Sequence, residues 1–550
     1  MRFRDWVDSG APWIWLNAGA VAGALVMVIG LLLLVAARGL GHFWPADVIV
    51  FDYLEGGETR KVMGEVVDSE IIAGDRLRHL GIQPVAGTTG VTRLLIKIGN
   101  RDLTGNDFQW FLESDMRGGE AAAGIVVLER EEWGNFYGRL AAVAEGGAPV
   151  AVPDLMMALQ ERLARRHAIV EQIRHIEKDR IGAINYRIEQ LRLDDRRLVL
   201  DGITDPDAHR RIGEERQAMQ VEYDQMSAEL ARLYTELRRD AVQVQTADGR
   251  TVDIPLAKVI RAYNPNDMGV LEKLSHYGIK VAEFVSVDPR EANTEGGIFP
   301  AIFGTVLMVV IMSVLVTPFG VIAAVYLSEY AKQGPLTRAI RIAVNNLAGV
   351  PSVVYGVFGL GFFVYFIGAH IDRAFFAEAL PAPTFGTPGL LWSSLTLALL
   401  TVPVVIVSTE EGLSRIPKAI REGSLALGAT KAETLWRTVM PMATPAMMTG
   451  LILAVARAAG EVAPLMMVGV VKLAPSLPFD GNFPFLHLER KFMHLGFHIY
   501  DVGFQSPNVE AARPLVYATA LLLVLIVVIL NLAAIRIRNR LREKYNAAET

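Results

Sequence analysis

Arg457 and Glu461 are two charged residues in the otherwise apolar stretch LILAVARAAGEVAPLMMVG. A charge in the middle of a membrane-spanning helix costs about 2.5 to 3.5 kcal/mol on insertion scales. Their spacing of four residues places both on one helix face, where they can partly neutralise each other. They therefore form either a structural ion pair inside a helix bundle or part of a pathway for a charged solute.

The pathway interpretation carries a chemical preference. A guanidinium such as that of Arg457 can donate two parallel N–H bonds to a tetrahedral oxyanion. A carboxylate beside an anion site repels the anion unless the solute carries its own proton. Hydrogen phosphate and dihydrogen phosphate carry one, and sulfate near neutral pH does not. The pair would therefore favour phosphate, whose hydroxyl finds an acceptor in Glu461.

Glu410 and Glu411 are two further carboxylates, at the end of another apolar stretch. They are candidates for the inner mouth of the same pathway. Carboxylates are also common at the ends of membrane spans, so the position alone leaves both interpretations open.

A polar segment from Pro417 to Pro441 separates two apolar stretches and predicts two short helices joined by a tight turn. Pro417 fits the first position of a helix, and Gly428 can take the left-handed conformation that ends it. Thr430 and Glu433 have the spacing of a capping box that opens a second helix. We expect Pro441 to stop that helix. An ordinary connecting loop is the alternative.

This segment resembles the EAA loop of ABC-importer permeases, a motif written E-A-A, three residues, G, nine residues, I-x-L-P. Glu422, Gly428 and Pro441 match the motif and its spacing. The sequence departs from it at Gly423, Ser424, Thr438 and Met440. In that family the loop fits a cleft on a cytoplasmic ATPase subunit. The residues that the resemblance and the capping pattern assign to ATPase coupling are Glu422, Gly423, Ser424, Gly428, Thr430, Glu433 and Pro441.

The composition combines 52% hydrophobic and 21% charged residues with a mean hydropathy of +0.31. In a chain of 550 residues this mixture indicates alternating membrane and soluble regions. The net charge of −5 indicates no nucleic-acid-binding surface. Because the chain has no cysteine, disulfides, thiolate catalysis and cysteine-ligated zinc sites are excluded.

The known catalytic motifs are missing. Neither G-x-x-x-x-G-K-[ST] nor H-E-x-x-H occurs. His494 and His498 are too few ligands for a metal site, and a surface helix explains their spacing. We therefore predict a non-catalytic transport subunit without a metal or cofactor of its own, with ATP and Mg²⁺ bound by a partner ATPase.

Six apolar stretches are long enough to cross a bilayer, which needs about 20 residues. They are residues 14–37, 298–327, 347–369, 388–407, 443–471 and 514–534. For the first, a cleaved signal peptide is the alternative, but the apolar run exceeds the roughly 15 residues of such a region. The basic tail from Arg536 to Lys544 predicts a cytoplasmic C-terminus. Counting back, residues 1–13 and 535–550 are cytoplasmic, and residues 38–297 lie outside.

Residues 38–297 are expected to form an inserted soluble domain. Apolar runs at 47–53, 93–98 and 124–128 predict strands, and Asp248-Gly249 predicts a β-hairpin. Residues 154–240 are highly charged, with apolar residues at alternating three- and four-residue steps. They predict a long antiparallel helical hairpin that turns near 201–206.

Several stretches together resemble the PstA-type permease subunit of the phosphate ABC importer. They are GGIFPAIFGT from Gly296, YLSEY from Tyr326, LAGVPSVVYG from Leu347, STEEGL from Ser408 and ARAAGEVAPL from Ala456. The resemblance implies a bacterial inner-membrane subunit paired with a homologous second permease subunit, two copies of an ATPase and a periplasmic phosphate-binding protein. It also implies that Arg457 and Glu461 match charged positions used in phosphate passage. The insertion of residues 38–297 is a departure, since family members of ordinary length have a short loop there.

The fold expected from these observations is an α-helical polytopic membrane protein of about six transmembrane helices, in the ABC importer permease fold. It carries an inserted mixed α/β soluble domain with a long helical hairpin. The expected function is that of a phosphate importer permease subunit in the lipid bilayer. The alternatives are a permease for another oxyanion, such as sulfate or molybdate, and a membrane-anchored sensor working through the outer domain.

Overall fold

The computed structural model describes residues 9–55, 57–73, 90–290, 293–506 and 509–546. The chain divides into two compact units. One is helical and comprises Met1–His42, Ile298–Phe376 and Leu380–Thr550. The other comprises Phe43–Gly297 together with the short segment Ala377–Ala379, and contains both helices and sheets.

The α-helices are numbered in chain order. They are α1 (Ala11–Gly41), α2 (Arg101–Thr104), α3 (Leu155–Arg174), α4 (Gly182–Leu200), α5 (Pro206–Leu237), α6 (Val270–Ser286), α7 (Phe299–Val325), α8 (Pro335–Leu347), α9 (Ser352–Phe358), α10 (Ala369–Phe375), α11 (Leu390–Ser414), α12 (Lys418–Ala426), α13 (Lys431–Thr434), α14 (Met440–Gly460), α15 (Leu465–Val468), α16 (Leu495–Tyr500) and α17 (Val509–Asn546). The consecutive pairs α3–α4, α9–α10 and α13–α14 are joined without a break by π-helical turns.

Six helical stretches among the described residues are long and apolar enough to cross a membrane. They are Pro12–Gly41, Phe299–Tyr330, Ser352–Phe375, Leu390–Ser414, Lys431–Gly460 and Ala512–Arg540. The chain is therefore a multi-pass membrane protein, as the sequence predicts. Four of the predicted spans overlap these helices along most of their length, and two have wrong boundaries.

The third predicted span begins too early. Residues up to Leu347 belong to α8, a separate amphipathic helix, and the spanning helix begins at Ser352 after Pro351. The residue before a proline is disfavoured in the helical conformation, so Val350 cannot easily continue α8. The fifth predicted span, 443–471, is also wrong: its helix begins at Lys431 and ends at Gly460.

Small residues allow the spanning helices to approach closely. A Cβ atom on Gly450 of α14 would lie 2.7 Å from the Cβ of Ser408 in α11, and one on Gly412 would lie 2.4 Å from the Cβ of Ala446. The Ser408 hydroxyl donates a hydrogen bond of 2.7 Å to the Ala446 carbonyl. Close contact between small residues, with hydroxyl bonds across it, is the usual packing of helices in a membrane.

The described part of the second unit contains two larger antiparallel sheets and one two-stranded sheet. The strands are β1 (Val48–Glu55), β2 (Glu58–Ala73), β3 (Gly90–Lys97), β4 (Phe108–Leu112), β5 (Met116–Ala121), β6 (Ile125–Arg130), β7 (Phe136–Glu145), β8 (Ala148–Pro149), β9 (Asp240–Gln245), β10 (Thr251–Pro255), β11 (Val259–Tyr263), β12 (Pro289–Arg290) and β13 (Glu295–Gly296). One sheet has the order β4-β3-β2-β1-β5, and the other has the order β10-β9-β7-β6-β11 with β8 beside β7. The last two strands pair with each other.

The predicted strands correspond to β1, β3 and β6, and the predicted β-hairpin is β9 and β10. Gly249 takes a φ of 85° in its turn. The inserted unit therefore has the mixed α/β structure that the sequence indicates.

The predicted helical hairpin is present as α3 and α4, joined by a π turn, packed antiparallel on α5. Asp154 caps α3 by accepting hydrogen bonds from the Met156 and Met157 amides, at 2.9 and 3.0 Å. Asp205 caps α5 in the same way. The apolar seam between the two arms of the hairpin consists of Ile169, Ile173, Ile176, Ile184, Met226 and Leu233. The three- and four-residue spacing read from the sequence is thus the spacing of a buried seam.

Candidate coupling loop and translocation residues

The segment between α11 and α14 folds as two helices joined at Gly428. Gly428 follows α12 with a φ of 91°, in the left-handed region where a glycine is favoured. Thr430 then caps α13: its hydroxyl accepts from the Glu433 amide at 3.2 Å, and the Glu433 carboxylate accepts from the Thr430 amide at 2.9 Å. Pro417 lies at the N-cap of α12, one position before the predicted one.

Pro441 does not stop the second helix, so that prediction is wrong. Helix α13 continues through a π turn at Leu435–Val439 into α14, which begins at Met440. In the π turn the Met440 amide donates to the Leu435 carbonyl, five residues back. Because proline has no N–H and crowds the preceding turn, the wider π turn gives it room within a continuous helix.

Arg421 fixes the first of the two helices to the rest of the helical unit. Its guanidinium donates to Glu329 at 2.8 Å, to the Ile416 carbonyl at 2.6 Å and to the Leu413 carbonyl at 2.8 Å. The carbonyls lie at the end of α11, where a helix leaves such groups without internal partners. Arg421 therefore joins α11, α12 and the end of the spanning helix Phe299–Tyr330.

Two further contacts complete the loop. The hydroxyls of Ser424 and Thr434 are 2.9 Å apart, which ties α12 to α13. Lys431 donates to the Glu329 carbonyl, and its ammonium lies 4.6 Å above the ring of Tyr330. Ser424 is among the residues that the sequence assigns to coupling, whereas Arg421, Glu329 and Lys431 are not. The sequence signal for this contact was Glu329, a single carboxylate in the YLSEY stretch at the end of an apolar span.

The loop presents large apolar side chains to the outside. Leu427 is 91% exposed and Trp436 is 71% exposed. Glu422 and Gly423 are also exposed. Apolar residues in a polar loop, with their neighbours held by the contacts above, are typical of a surface for another protein.

Arg457 and Glu461 lie at the end of α14 rather than inside a longer helix. The Arg457 Nε donates to Glu461 Oε1 at 3.4 Å, and their side chains are 34% and 20% exposed. The helix ends at Gly460, and Glu461 takes an extended conformation at the C-cap. Pro464 follows three residues later, in keeping with the tendency of helices to end shortly before a proline.

This helix end lies at about half the depth of the helical bundle. Gly450 of α14 faces Ser408 of the antiparallel α11. At 1.5 Å per residue, Arg457 is about 10 Å further along and therefore level with Thr401, near the midpoint of α11. A Cβ on Gly356 in α9 would lie 2.7 Å from Pro464, so α9 reaches the same level. Interrupted helices with charged residues at mid-depth are typical of solute sites in transporters.

The structure does not bring the two other predicted pathway residues to this point. Glu410 binds Arg341 at 3.2 Å, and Glu411 is exposed and 3.9 Å from Arg415. Both lie near the C-terminal end of α11, where Gly412 faces Ala446. That level is roughly 16 Å from Arg457 along α14. The candidate pathway residues therefore form two separate groups.

His494 and His498 are buried, so the expectation of a surface helix is wrong. The ring of His494 caps α16 by accepting from the Gly496 amide at 3.1 Å. Burial lowers the pKa of His494 to about 3 and that of His498 to about 4, which keeps both rings neutral near pH 7. Within the described ranges, no group of three or more His, Asp or Glu side chains could hold a metal ion.

The helices, their mid-depth interruption and the loop define a polytopic helical membrane protein with an exposed helical loop between two spans. Residues 316–544 match the family of binding-protein-dependent transport system inner membrane components.

Among curated relatives, a phosphate transport system permease protein PstA 1 of Mycobacterium tuberculosis is 36% identical over 245 residues, covering 44% of this chain and 71% of that protein. A PstA of Yersinia pestis is 31% identical, covering 47% of this chain and 77% of that protein. A PstA of Mycobacterium leprae is 37% identical, covering 35% of this chain and 58% of that protein.

Among solved structures, the MetNI methionine ABC transporter is similar with 18% identity and a TM-score of 0.33, covering 44% of this chain and 94% of that chain. The identity to the curated relatives, over more than two thirds of the Mycobacterium tuberculosis and Yersinia pestis proteins, shows that the chain belongs to the PstA-type permeases of the binding-protein-dependent transport family.

Proposed function

We propose that this chain is a transmembrane permease subunit of an ATP-driven importer of inorganic phosphate. The observation that carries the proposal is its similarity to PstA permeases of distant bacteria, at 31% to 36% identity over more than 70% of their length. A homologous second permease subunit completes the pathway, a cytoplasmic ATPase dimer binds ATP and Mg²⁺, and a periplasmic protein delivers phosphate. The N- and C-termini are cytoplasmic, and residues 38–297 are periplasmic.

The loop between α11 and α14 is the part that meets the ATPase. The exposed Leu427, Trp436 and Glu422 offer contact groups, while Arg421 holds α12 to the spanning helices. Movement imposed on α12 would pass through Arg421 to the helix ending at Tyr330, and through the π turn to α14. Binding and hydrolysis of ATP would then alternate access to the mid-depth site.

Arg457 and Glu461 are the residues that meet phosphate. Their contact of 3.4 Å is long for a charge-assisted hydrogen bond, and both side chains are partly exposed. The guanidinium therefore keeps N–H groups for an oxyanion, and the carboxylate keeps an acceptor for the phosphate hydroxyl. Glu410 and Glu411 stand at the inner mouth, with Glu410 held by Arg341.

The test is phosphate uptake in a strain that lacks the native protein, with the membrane abundance of each variant checked. We expect Arg457→Ala and Glu461→Gln to reach normal abundance and to lose most uptake. The matched control is Arg210→Ala, which removes an exposed arginine of α5 that also has a carboxylate partner at i+4. Normal uptake by both pathway variants would reject a solute-contacting role for this pair.

Substrate preference gives a second readout. Glu461→Gln keeps the size of the side chain and removes its charge, so an anion without a hydroxyl is less strongly repelled. Labelled sulfate should therefore compete with phosphate better in this variant than in the wild type. An unchanged ratio of phosphate to sulfate uptake would show that Glu461 does not select for the protonated solute.

A further inference from the structure

Helix α6, Val270–Ser286, turns most of its charged residues toward the protein and exposes many of its apolar residues, which is the opposite of an ordinary surface helix. A surface helix of a soluble protein buries its apolar stripe and exposes its charges. In α6 the exposed positions after the first turn are Leu274, Ser275, Gly278, Ile279, Ala282, Val285 and Ser286. The first turn adds Val270 and Leu271, 76% and 82% exposed. Apart from Glu272 in the first turn, this outer face carries no charge.

Three of the four charged residues of α6 point into the inserted unit and are paired there. Lys273 binds Asp47, Lys280 binds Glu129, and Glu283 binds Arg261. Three ion pairs on the inner face cost desolvation and side-chain order, which an apolar inner face would avoid. The arrangement leaves the outer face apolar, so a surface other than water must cover it.

Both chain connections into the membrane run against this helix. Phe43 and Trp44 follow the first span, which ends at Gly41. The Phe43 ring lies 5.0 Å from Phe284 and 6.3 Å from Tyr277, and the Trp44 ring lies 6.1 Å from Tyr277. Three residues of chain reach at most about 10 Å. The rings that pack on the middle of α6 are therefore only two and three residues along the chain from Gly41, the last residue of the first span.

The second connection touches the C-terminal end of α6. Gly297 stands two residues before Phe299, where the next span begins. A Cβ on Gly297 would lie 2.2 Å from the Val287 carbonyl oxygen and 2.6 Å from that of Glu283. The backbone of the incoming chain is thus packed directly on the last turn of α6, and only a glycine fits there.

We propose that α6 is an interfacial helix whose uncharged outer face lies in the headgroup region of the bilayer. The occupant is lipid: the two span connections hold the helix at the membrane surface, and Trp44 and Tyr277 beside it are residue types enriched at that boundary. Helices of this kind bury their apolar face about 5 to 10 Å into the interface. This contact would anchor the inserted unit independently of the transported solute.

Because the chain has no cysteine, single-cysteine variants can report on this face directly. Leu274→Cys and Ile279→Cys place a fluorescent label on the outer face of α6. Val221→Cys, at an exposed position of α5 in the helical hairpin, is the matched control. Each full-length variant is reconstituted in vesicles of phosphatidylethanolamine and phosphatidylglycerol. Quenching by iodide in the water is compared with quenching by nitroxide-labelled lipid.

We expect labels at positions 274 and 279 to be quenched severalfold more by nitroxide lipid, and severalfold less by iodide, than the label at 221. Equal iodide quenching at all three positions would overturn the proposal, since the face would then be in water. Protection of 274 and 279 from both quenchers would also overturn it, and would identify a protein surface as the cover.

Discussion

Gly428 and Gly423 provide a matched test of the coupling loop. A Cβ added at either position meets no atom within 4 Å, so neither change creates a clash. The difference lies in the backbone: Gly428 has a φ of 91°, whereas Gly423 lies inside α12. An alanine in the left-handed region costs about 1 to 2 kcal/mol. An alanine inside a helix gains up to about 1 kcal/mol relative to glycine.

The two substitutions should therefore have opposite effects on the loop. Since 1.4 kcal/mol corresponds to about tenfold in an equilibrium, a cost of about 1 to 2 kcal/mol means that Gly428→Ala should reduce the population of the native turn by about 5- to 30-fold relative to competing conformations. Gly428→Asn should be milder, because asparagine tolerates the left-handed conformation. Gly428→Val should be the most harmful, since φ above zero is a genuine outlier for a β-branched residue.

The assay is ATP-driven phosphate uptake, with ATP hydrolysis and membrane abundance measured in parallel. We expect uptake to be highest in Gly423→Ala, lower in Gly428→Asn, lower again in Gly428→Ala and lowest in Gly428→Val, with the membrane abundance unchanged. Uptake should fall more than hydrolysis, because in the proposed function the loop transmits the motion and does not bind ATP. Wild-type uptake by Gly428→Val, or equal loss in Gly423→Ala and Gly428→Ala, would refute the reasoning.

Two further predictions concern buried charge pairs. Burial would raise the pKa of Glu129, but the charges of Lys280 and Arg290 outweigh burial and lower that pKa from 4.5 to about 2. A carboxyl group with a lowered pKa stabilises the fold above pH 4.5. We therefore expect the free energy of unfolding to fall by about 3 kcal/mol as the pH is lowered from 4.5 to 2. Thermal unfolding of the purified chain should show this loss, and Glu129→Gln should abolish it; an unchanged pH profile would contradict the assignment. Arg421→Ala and Glu329→Ala should each reduce uptake, and the double variant should lose less than the product of the two losses. Independent losses would mean that the pair does not act as a unit.

The coupling loop was readable from the sequence where the rules are local. Gly428, Thr430 and Glu433 act through their own backbone and the next turn, so their spacing was sufficient. The prediction that Pro441 ends the helix was wrong because the effect of a proline depends on the conformation of the turn before it. A π turn absorbs the missing N–H, and nothing in the motif distinguishes that outcome from a helix end.

The contacts that fix the loop were not readable in the same way. Arg421 and Glu329 are far apart in sequence, and each could equally be an exposed charge at a membrane boundary. The site residues show the same limit. The position of Arg457 in an apolar stretch indicated an intramembrane charge, but its level opposite Thr401 follows only from the packing of α14 on α11.

Helix α6 shows why composition alone misleads at a surface. Its four acidic and basic residues gave it the appearance of ordinary soluble sequence, and no helix was predicted there. Tertiary partners decide which way those residues turn: Asp47 and Glu129 lie far away in the chain and Arg261 lies on β11 before the helix, and these partners hold three of the charges inward. The apolar residues are left outside as a consequence. A helix with soluble composition therefore acquires a membrane-type surface only through the fold around it.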